Sequence, residues 1–489
     1  MKRRDFIKQT ACGTAAIAVG SCLGPFWGKT GRAHAAQHEI NLGMTVADVE
    51  MVDTNTVPHW VYTLDGQPTL PGPLIFAHAN ETFTINVTND IDDGRQRGFA
   101  VVGNDFAGNQ FALLKESGNI PFGGQGSVTI NAGDLRPGTY LYKDPTLGHI
   151  SRVLGLHGVL VILPNPAFSV FNPYSPFATG NVNRLFNDLG RGTPRDPDAI
   201  FPGEPWFATT EANPFYGTDE ETHSDEHHRM MFRSGEHGID SEVFEKFLYR
   251  SRIWVLSSID PVINQQIIDN NEMPEDFRAE FNPQYFAING RQGAFGSHGP
   301  DVMMSSHVGE PHVVRMVNVG LSVSSPHPHG NHHYILSVNN VVGGAAHASS
   351  EDDGMGQALS TDNVLLVDTS TVGPEERVDI LYPFVRPQDI PRIVGGEGLL
   401  LPLNVLLEQE LALELNLPDP DGLLMVSRNV LEYPMHSHME LDQTAAGGNY
   451  PQGQVAHIVF MGDYERDESF RPDRRGSIAP QLLPLLLDD

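Results

Sequence analysis

Two short stretches carry most of the metal-binding potential of this chain. Ser324 to Val338 reads SSPHPHGNHHYILSV, and Tyr433 to Gln443 reads YPMHSHMELDQ. In the first, His327 and His329 stand two residues apart at the head of an alternating apolar run. Side chains two apart on a strand share a face, so both imidazoles point the same way. His436 and His438 repeat the arrangement about a hundred residues later, and a proline lies shortly ahead of each pair (Pro326, Pro434). Neighbouring strands would bring four imidazoles together, enough for one or two transition-metal ions. His332, His333, Glu440 and Asp442 lie close enough in sequence to act as supporting or additional ligands. A donor set of imidazole without thiolate favours copper(II), zinc or iron. The competing reading is a set of polar residues scattered around a loop mouth.

Other residues carry weaker signals. His223 and His227 are four apart in ETHSDEHHRMMFRSGEHG (221–238), with Asp225, Glu226 and Glu236 nearby. On a helix they would share a face, but the setting is polar and reads as a solvated acidic loop. Met435 and Met439 flank the second histidine pair; thioethers suit copper(I), and core packing is the plainer role. Gln443 to Gly453 is Gly-rich and reads as a loop shaping the site mouth. Ser437 raises a nucleophile, but no Ser-His-Asp arrangement can be assembled from sequence spacing.

The elements that must position these residues are strands. PLIFAHANETFTINVTND alternates apolar and polar residues at period two, and SVTINAGDLRPGTYLYKD does so again. GLHGVLVILP closes a first β domain. Patterning returns at RIWVLSSIDP, YFAINGR, HVVRMVNVG, VDILYPF and GQVAHIVF, with turn signals at the short spacing of a sandwich. The predicted organisation is a signal segment over 1–35, an N-terminal β domain over 36–165, and a connector or reduced middle domain over 166–249. A C-terminal β domain holding the histidines follows over 250–465, then a tail over 466–489. A helix is predicted in SEVFEKFLYR, and an apolar, acidic insertion at LLLPLNVLLEQELALELNLPDPDG.

Composition narrows the function classes. Over 489 residues there are 31 basic and 61 acidic side chains, a net charge of −30, which argues against nucleic acid and anionic membranes as partners. Paired Arg3 and Arg4 precede Phe6 and a short Gly/Ala-rich apolar run that ends at AHAA. That pattern resembles a twin-arginine export signal cleaved after Ala35, placing the protein in the periplasm or outside the cell after export in folded form. The run is too short for a membrane span. Val19 to Cys22, VGSC, offers a lipoprotein cleavage box as the alternative. Cleavage after Ala35 leaves 25 basic against 60 acidic residues and removes Cys12 and Cys22, the two cysteines of the chain. Residues 36–489 therefore exclude disulfides, iron–sulfur clusters, thiolate zinc sites and cysteine nucleophiles.

Taken together the motifs resemble those of the multicopper oxidases, built from cupredoxin domains. LPGPLIFAHANETFTINVTND is similar to the opening strands of the family's first domain, and RPGTYLYKD…GLHGVLVILP to the strand pair that ends it. YFAINGR, SSPHPHGNHHYILSV and YPMHSHMELDQTAAGGNYPQG resemble the last domain. The resemblance implies an all-β fold of two cupredoxin-like Greek-key β-sandwich domains joined by a long, partly irregular connector. It aligns His327, His329 and Gly330 with the His-x-His-Gly motif, and His436, Ser437 and His438 with the His-Cys-His motif, so the family's thiolate becomes a hydroxyl. The other two histidines of the mononuclear copper fall on Ser324 and Asp442, and that centre is expected to be absent. First-domain histidine pairs are missing too: none lies between His78 and His149, and the second pair falls on Lys143 and Pro145. His149 and His157 stand nearby and read as ordinary loop and strand residues.

What the resemblance implies is a degenerate member without the usual route for four-electron reduction of dioxygen. One expectation is copper binding through His327, His329, His436 and His438, in an oxidoreductase of altered mechanism or a copper-binding protein. The alternative is a metal-free scaffold or interaction protein of the cell envelope; zinc or iron with unrelated chemistry stands third. Family members of two domains often assemble as trimers with metal between subunits, and the missing first-domain ligands weaken that reason for assembly.

Overall fold

In the computed structural model, residues 32–34, 39–164, 251–297, 301–308, 311–342, 364–384 and 431–463 are described, with single positions 173, 174, 182, 185 and 299. The N-terminal signal ahead of Arg32, Cys12, Cys22, the acidic segment 221–238, the helix expected in SEVFEKFLYR, the apolar insertion and the tail lie outside them.

The described chain is overwhelmingly β, in four sheets. One six-stranded sheet runs in the order Arg32–His34, Leu74–His78, His157–Leu163, Gly138–Lys143, Ala100–Gly103, Ala112–Glu116. A five-stranded sheet orders Gln67–Thr69, Thr56–Leu64, Glu39–Glu50, Thr82–Asn89, Gln125–Asn131. Both are mixed: Leu74–His78 lies parallel to His157–Leu163, and Glu39–Glu50 parallel to Thr82–Asn89. Parallel neighbours cannot be joined by a tight hairpin, so the chain crosses over between them. Thr82–Asn89 shows the period-two reasoning directly. Phe83, Ile85 and Val87 are buried, while Thr82, Thr84 and Asn86 face outward. The buried residues join Trp60, Tyr62, Tyr140, Tyr142 and Leu160 in one core.

The second half repeats the scheme. A seven-stranded sheet runs Tyr285–Ile288, Ser251–Ile259, His312–Asn318, Arg377–Tyr382, His333–Val338, Val341–Val342, with Leu366–Val367 pairing His333–Val338. Facing it, a four-stranded sheet orders Met304–Val308, Val455–Asp463, Leu431–Ser437, Pro326–Pro328. Their shared core holds Trp254, Met316, Ile380, Met435, Ala456, Ile458 and Phe460. Strands such as His312–Asn318 are buried along their whole length, which hides the alternation that half-buried strands display. Helices are few and short; Pro261–Ile268 starts at Asp260, whose carboxylate caps the backbone N–H groups of Val262 and Ile263. No helix among the described residues is long and apolar enough to cross a membrane.

Polar networks join the two halves. Arg315 and Asp379 form a buried ion pair at 2.6 Å, to which Thr139 and Tyr174 add hydrogen bonds at 2.7 and 2.8 Å. Lys143 and Arg152 converge on one carboxylate oxygen of Glu375, at 2.6 and 2.9 Å.

Candidate metal centre

Pro326–Pro328 and Leu431–Ser437 are adjacent antiparallel strands, and His327 lies directly opposite His436. The backbone N–H of His438 donates to Ser325 O, and that of His329 to Pro434 O, extending the pairing at both ends. Odd-numbered Tyr433 and Met435 pack into the core. Period two therefore turns His436 and His438 to the opposite face, beside His327 and His329. Here the four imidazoles meet. Ring centroids are 4.4 Å apart for His327 and His438, 4.6 Å for His327 and His329, and 5.1 Å for His329 and His436. They are 5.5 Å apart for His436 and His438, and 5.6 Å for His327 and His436.

Those spacings suit a metal ion. With a metal–nitrogen bond near 2.0 Å, each ring centroid lies about 3.2 Å from the ion, so neighbouring rings stand about 4.5 Å apart at right angles and about 5.2 Å apart in a tetrahedron. The five measured pairs bracket both figures. The nitrogens themselves are less gathered. Among the described residues no group of three or more His, Cys, Asp or Glu side chains already stands in metal-holding geometry. His329 Nε2 and His436 Nε2 instead hydrogen-bond to each other at 3.0 Å.

The electrostatics suit neutral ligands. Burial, then the neighbouring rings of His327, His436 and His438, lowers the His329 pKa to about 4. Burial likewise lowers that of His436, against a bond to the Ser437 carbonyl. Uncharged imidazoles keep a lone pair for a cation. His327 places Nδ1 2.8 Å from Asp368 O, and His436 places Nδ1 3.2 Å from Ser437 O. A ring N–H given to a carbonyl leaves the other nitrogen as the donor, which is how ligating histidines are usually held. Gly330 completes the turn at φ +85°, where a Cβ would meet the ring of Tyr433 and the hydroxyl of Tyr382.

The additional candidates fare differently. His332 and Glu440 are exposed. His333 is fully buried, with Nε2 2.6 Å from Ser370 Oγ, and burial lowers its pKa to about 3. Asp442 is buried behind the sheet, where it accepts a hydrogen bond from Ser437 Oγ at 3.0 Å. Burial raises its pKa to about 6, against hydrogen bonds from Ser437 and Ser324. Met435 is buried as core, whereas Met439, expected to pack as well, is 42% exposed because it precedes the short helical turn Glu440–Gln443.

Four of the positions that the resemblance assigns to missing ligands, Ser324, Ser437, Asp442 and Lys143, hold satisfied polar groups, and Pro145 offers no donor. Ser324 Oγ donates to Gln454 Oε1 at 2.7 Å, and Ser437 Oγ accepts from the N–H groups of Ser325 and Met439. Lys143 is bound to Glu375. Burial lowers the Lys143 pKa against the pull of Glu375; in Glu375 the pull of Arg152 and Lys143 outweighs burial and lowers the carboxyl. His157 is buried with Nδ1 2.6 Å from Arg152 O, and His149 packs on Phe277.

Sequence reasoning missed His457. It lies on Val455–Asp463 opposite Pro434, so it shares the outward face with His436 and contacts Glu432. The phase of Val455, His457 and Val459 within GQVAHIVF was the available signal, but nothing local says which strand lies beside it.

No family model matches the chain, and no curated protein matches it. Among solved structures, the chain is similar to a blue copper oxidase from Nitrosomonas europaea, at 14% identity over 92% of this chain and 95% of that one, with a TM-score of 0.48. It is similar to the multicopper oxidase mgLAC at 13% identity, covering 90% and 92%, TM-score 0.47. A copper nitrite reductase from Nitrosomonas europaea follows at 12%, covering 88% and 98%, TM-score 0.42. These are likenesses at low identity.

Proposed function

We propose that this is an exported, multicopper-oxidase-like protein that binds copper through His327, His329, His436 and His438, an oxidoreductase of non-standard mechanism or a copper-binding protein. The observation that carries the reading is the convergence of four rings from two distant segments at 4.4 to 5.6 Å. Copper in this position supplies one-electron redox chemistry. The protein's part is to keep His329 and His436 neutral by burial, to fix His327 and His436 through carbonyl bonds, and to keep the site at an exposed rim where His438 meets solvent. Cu(II) heads the affinity order for such nitrogen donors. The periplasm or the outside of the cell is the proposed location.

A second reading, a metal-free envelope scaffold, is favoured by the hydrogen bond between His329 and His436 and by the filled positions at Ser324, Ser437, Asp442 and Lys143. Metal analysis separates the two. Chain exported in folded form should carry about one copper after dialysis, as expected for one imidazole-built site, and His436→Ala with His438→Ala should remove it. Wild-type chain that carries none supports the scaffold; a double variant with full copper content overturns the ligand assignment.

A further inference from the structure

The histidine-bearing face does not stop at the two strands that hold the quartet. We propose that Glu432 and His457 form a second, more exchangeable position for a divalent transition-metal ion, beside the four-imidazole cluster. The proposal rests on the copper reading of that face and extends it.

Three observations support the placement. Glu432, Pro434 and His436 alternate with Tyr433 and Met435, which pack into the core, so Glu432 and His436 share the outward face. On the neighbouring strand, Ala456, Ile458 and Phe460 are buried while Val455 and His457 are half-buried, which turns His457 outward as well. Finally, His457 Nδ1 contacts Glu432 Oε1 across the strands; side chains on opposite faces could not meet.

The register sets the distance. His329, Pro434 and His457 form one row across the sheet, and His327, His436 and Val455 the next. His457 is therefore a diagonal neighbour of His436, about 7–8 Å away between backbones. It also stands two strand spacings, about 10 Å, from the strand of His327 and His329, so it borders the far side of the His436 strand and faces a position separate from the quartet's centre. The two positions differ in donors. The quartet offers nitrogen alone; the second offers one imidazole and one carboxylate, with water completing the shell, and so binds more weakly and less selectively.

The test is copper titration of the full chain by equilibrium dialysis, with Glu432→Gln and His457→Gln beside wild type. Wild type should take up one tight equivalent and one weaker, and each variant should lose only the weaker. EPR supplies an independent readout: at saturation two Cu(II) ions on one face broaden each other's signal, and both variants should sharpen it. Superimposable uptake curves for wild type and variants overturn the second position and leave the quartet standing. Loss of both equivalents in His457→Gln, with an unchanged melting curve, also overturns it, since His457 would then belong to the tight site. No uptake by wild type removes the copper reading itself.

Discussion

Replacing Glu375 with Gln should cost this protein a large share of its stability, and the reason can be worked from distances. The Glu375 carboxylate lies 2.6 Å from Lys143 Nζ and 2.9 Å from Arg152 Nη1, with side chains 19%, 9% and 2% exposed respectively. At an effective dielectric of about 20, each contact corresponds to roughly 6 kcal/mol of attraction. Burial of the charges offsets much of that, so the pair adds little when intact. Removing one partner is another matter. Glu375→Gln preserves shape and some hydrogen bonding but strands two cations in a buried site, which costs about 3–5 kcal/mol against a total typically of about 5–15 kcal/mol. Urea denaturation at neutral pH measures it, with Lys143→Met added in the Glu375→Gln background. The double variant should regain about 1 kcal/mol or more relative to the single, because one stranded charge is gone. A loss under about 1 kcal/mol for Glu375→Gln, the range of exposed pairs, would refute the reasoning. Lys143 stands where the family resemblance places a cluster histidine, so the outcome also tells whether an ion pair joins the two halves there.

Three further predictions concern the surroundings of the site and the core. Gly330→Ala puts a Cβ at φ +85°, 2.9 Å from the Tyr433 ring, and should cost about 2 kcal/mol by backbone strain and crowding, read as a lowered melting temperature with weakened copper retention. Ser437→Cys exchanges a hydroxyl that makes three hydrogen bonds for a poor donor, and should destabilise by about 1–3 kcal/mol. With Ser324 and Asp442 in place of imidazoles it should give no intense blue absorption with copper, and blue colour would contradict this. His59 and His157 are fully buried and have pKa values lowered to about 4 by burial, from 6.5. The unfolded chain takes up those protons first as pH falls, so stability is present above about 6.5 and is lost toward 4; by pH 5 the loss approaches 2 kcal/mol per histidine. A urea midpoint that stays flat from pH 7 to 5, or that falls as steeply in His157→Gln, counts against this assignment.

Much of the candidate site follows from local rules. Two histidines separated by one residue at the start of a strand share a face whatever the rest of the chain does, because pleating alternates side chains at a period of two. That holds for His327 with His329, and for His436 with His438. The all-β fold is equally local in Thr82–Asn89, where apolar and polar residues alternate from Thr82 to Thr88. Wholly buried strands such as His312–Asn318 give no such rhythm, yet their β-branched content still marks them as strands. The lack of cysteine beyond residue 36 is absolute in the sequence and excludes thiolate chemistry there without reference to any structure.

Other features depend on which strands become neighbours and in what register. His327 opposite His436, Asp442 turned inward to Ser437 and Ser324, Lys143 locked to Glu375 across more than two hundred residues, and His457 brought beside His436 are all of this kind. A pleat is set by a residue's immediate neighbours, so the sequence alone determines the face on which a side chain stands. Register is set by the burial of two whole cores, and a slip of one residue would turn every histidine of a strand to the other side. Only the tertiary structure decides which faces meet.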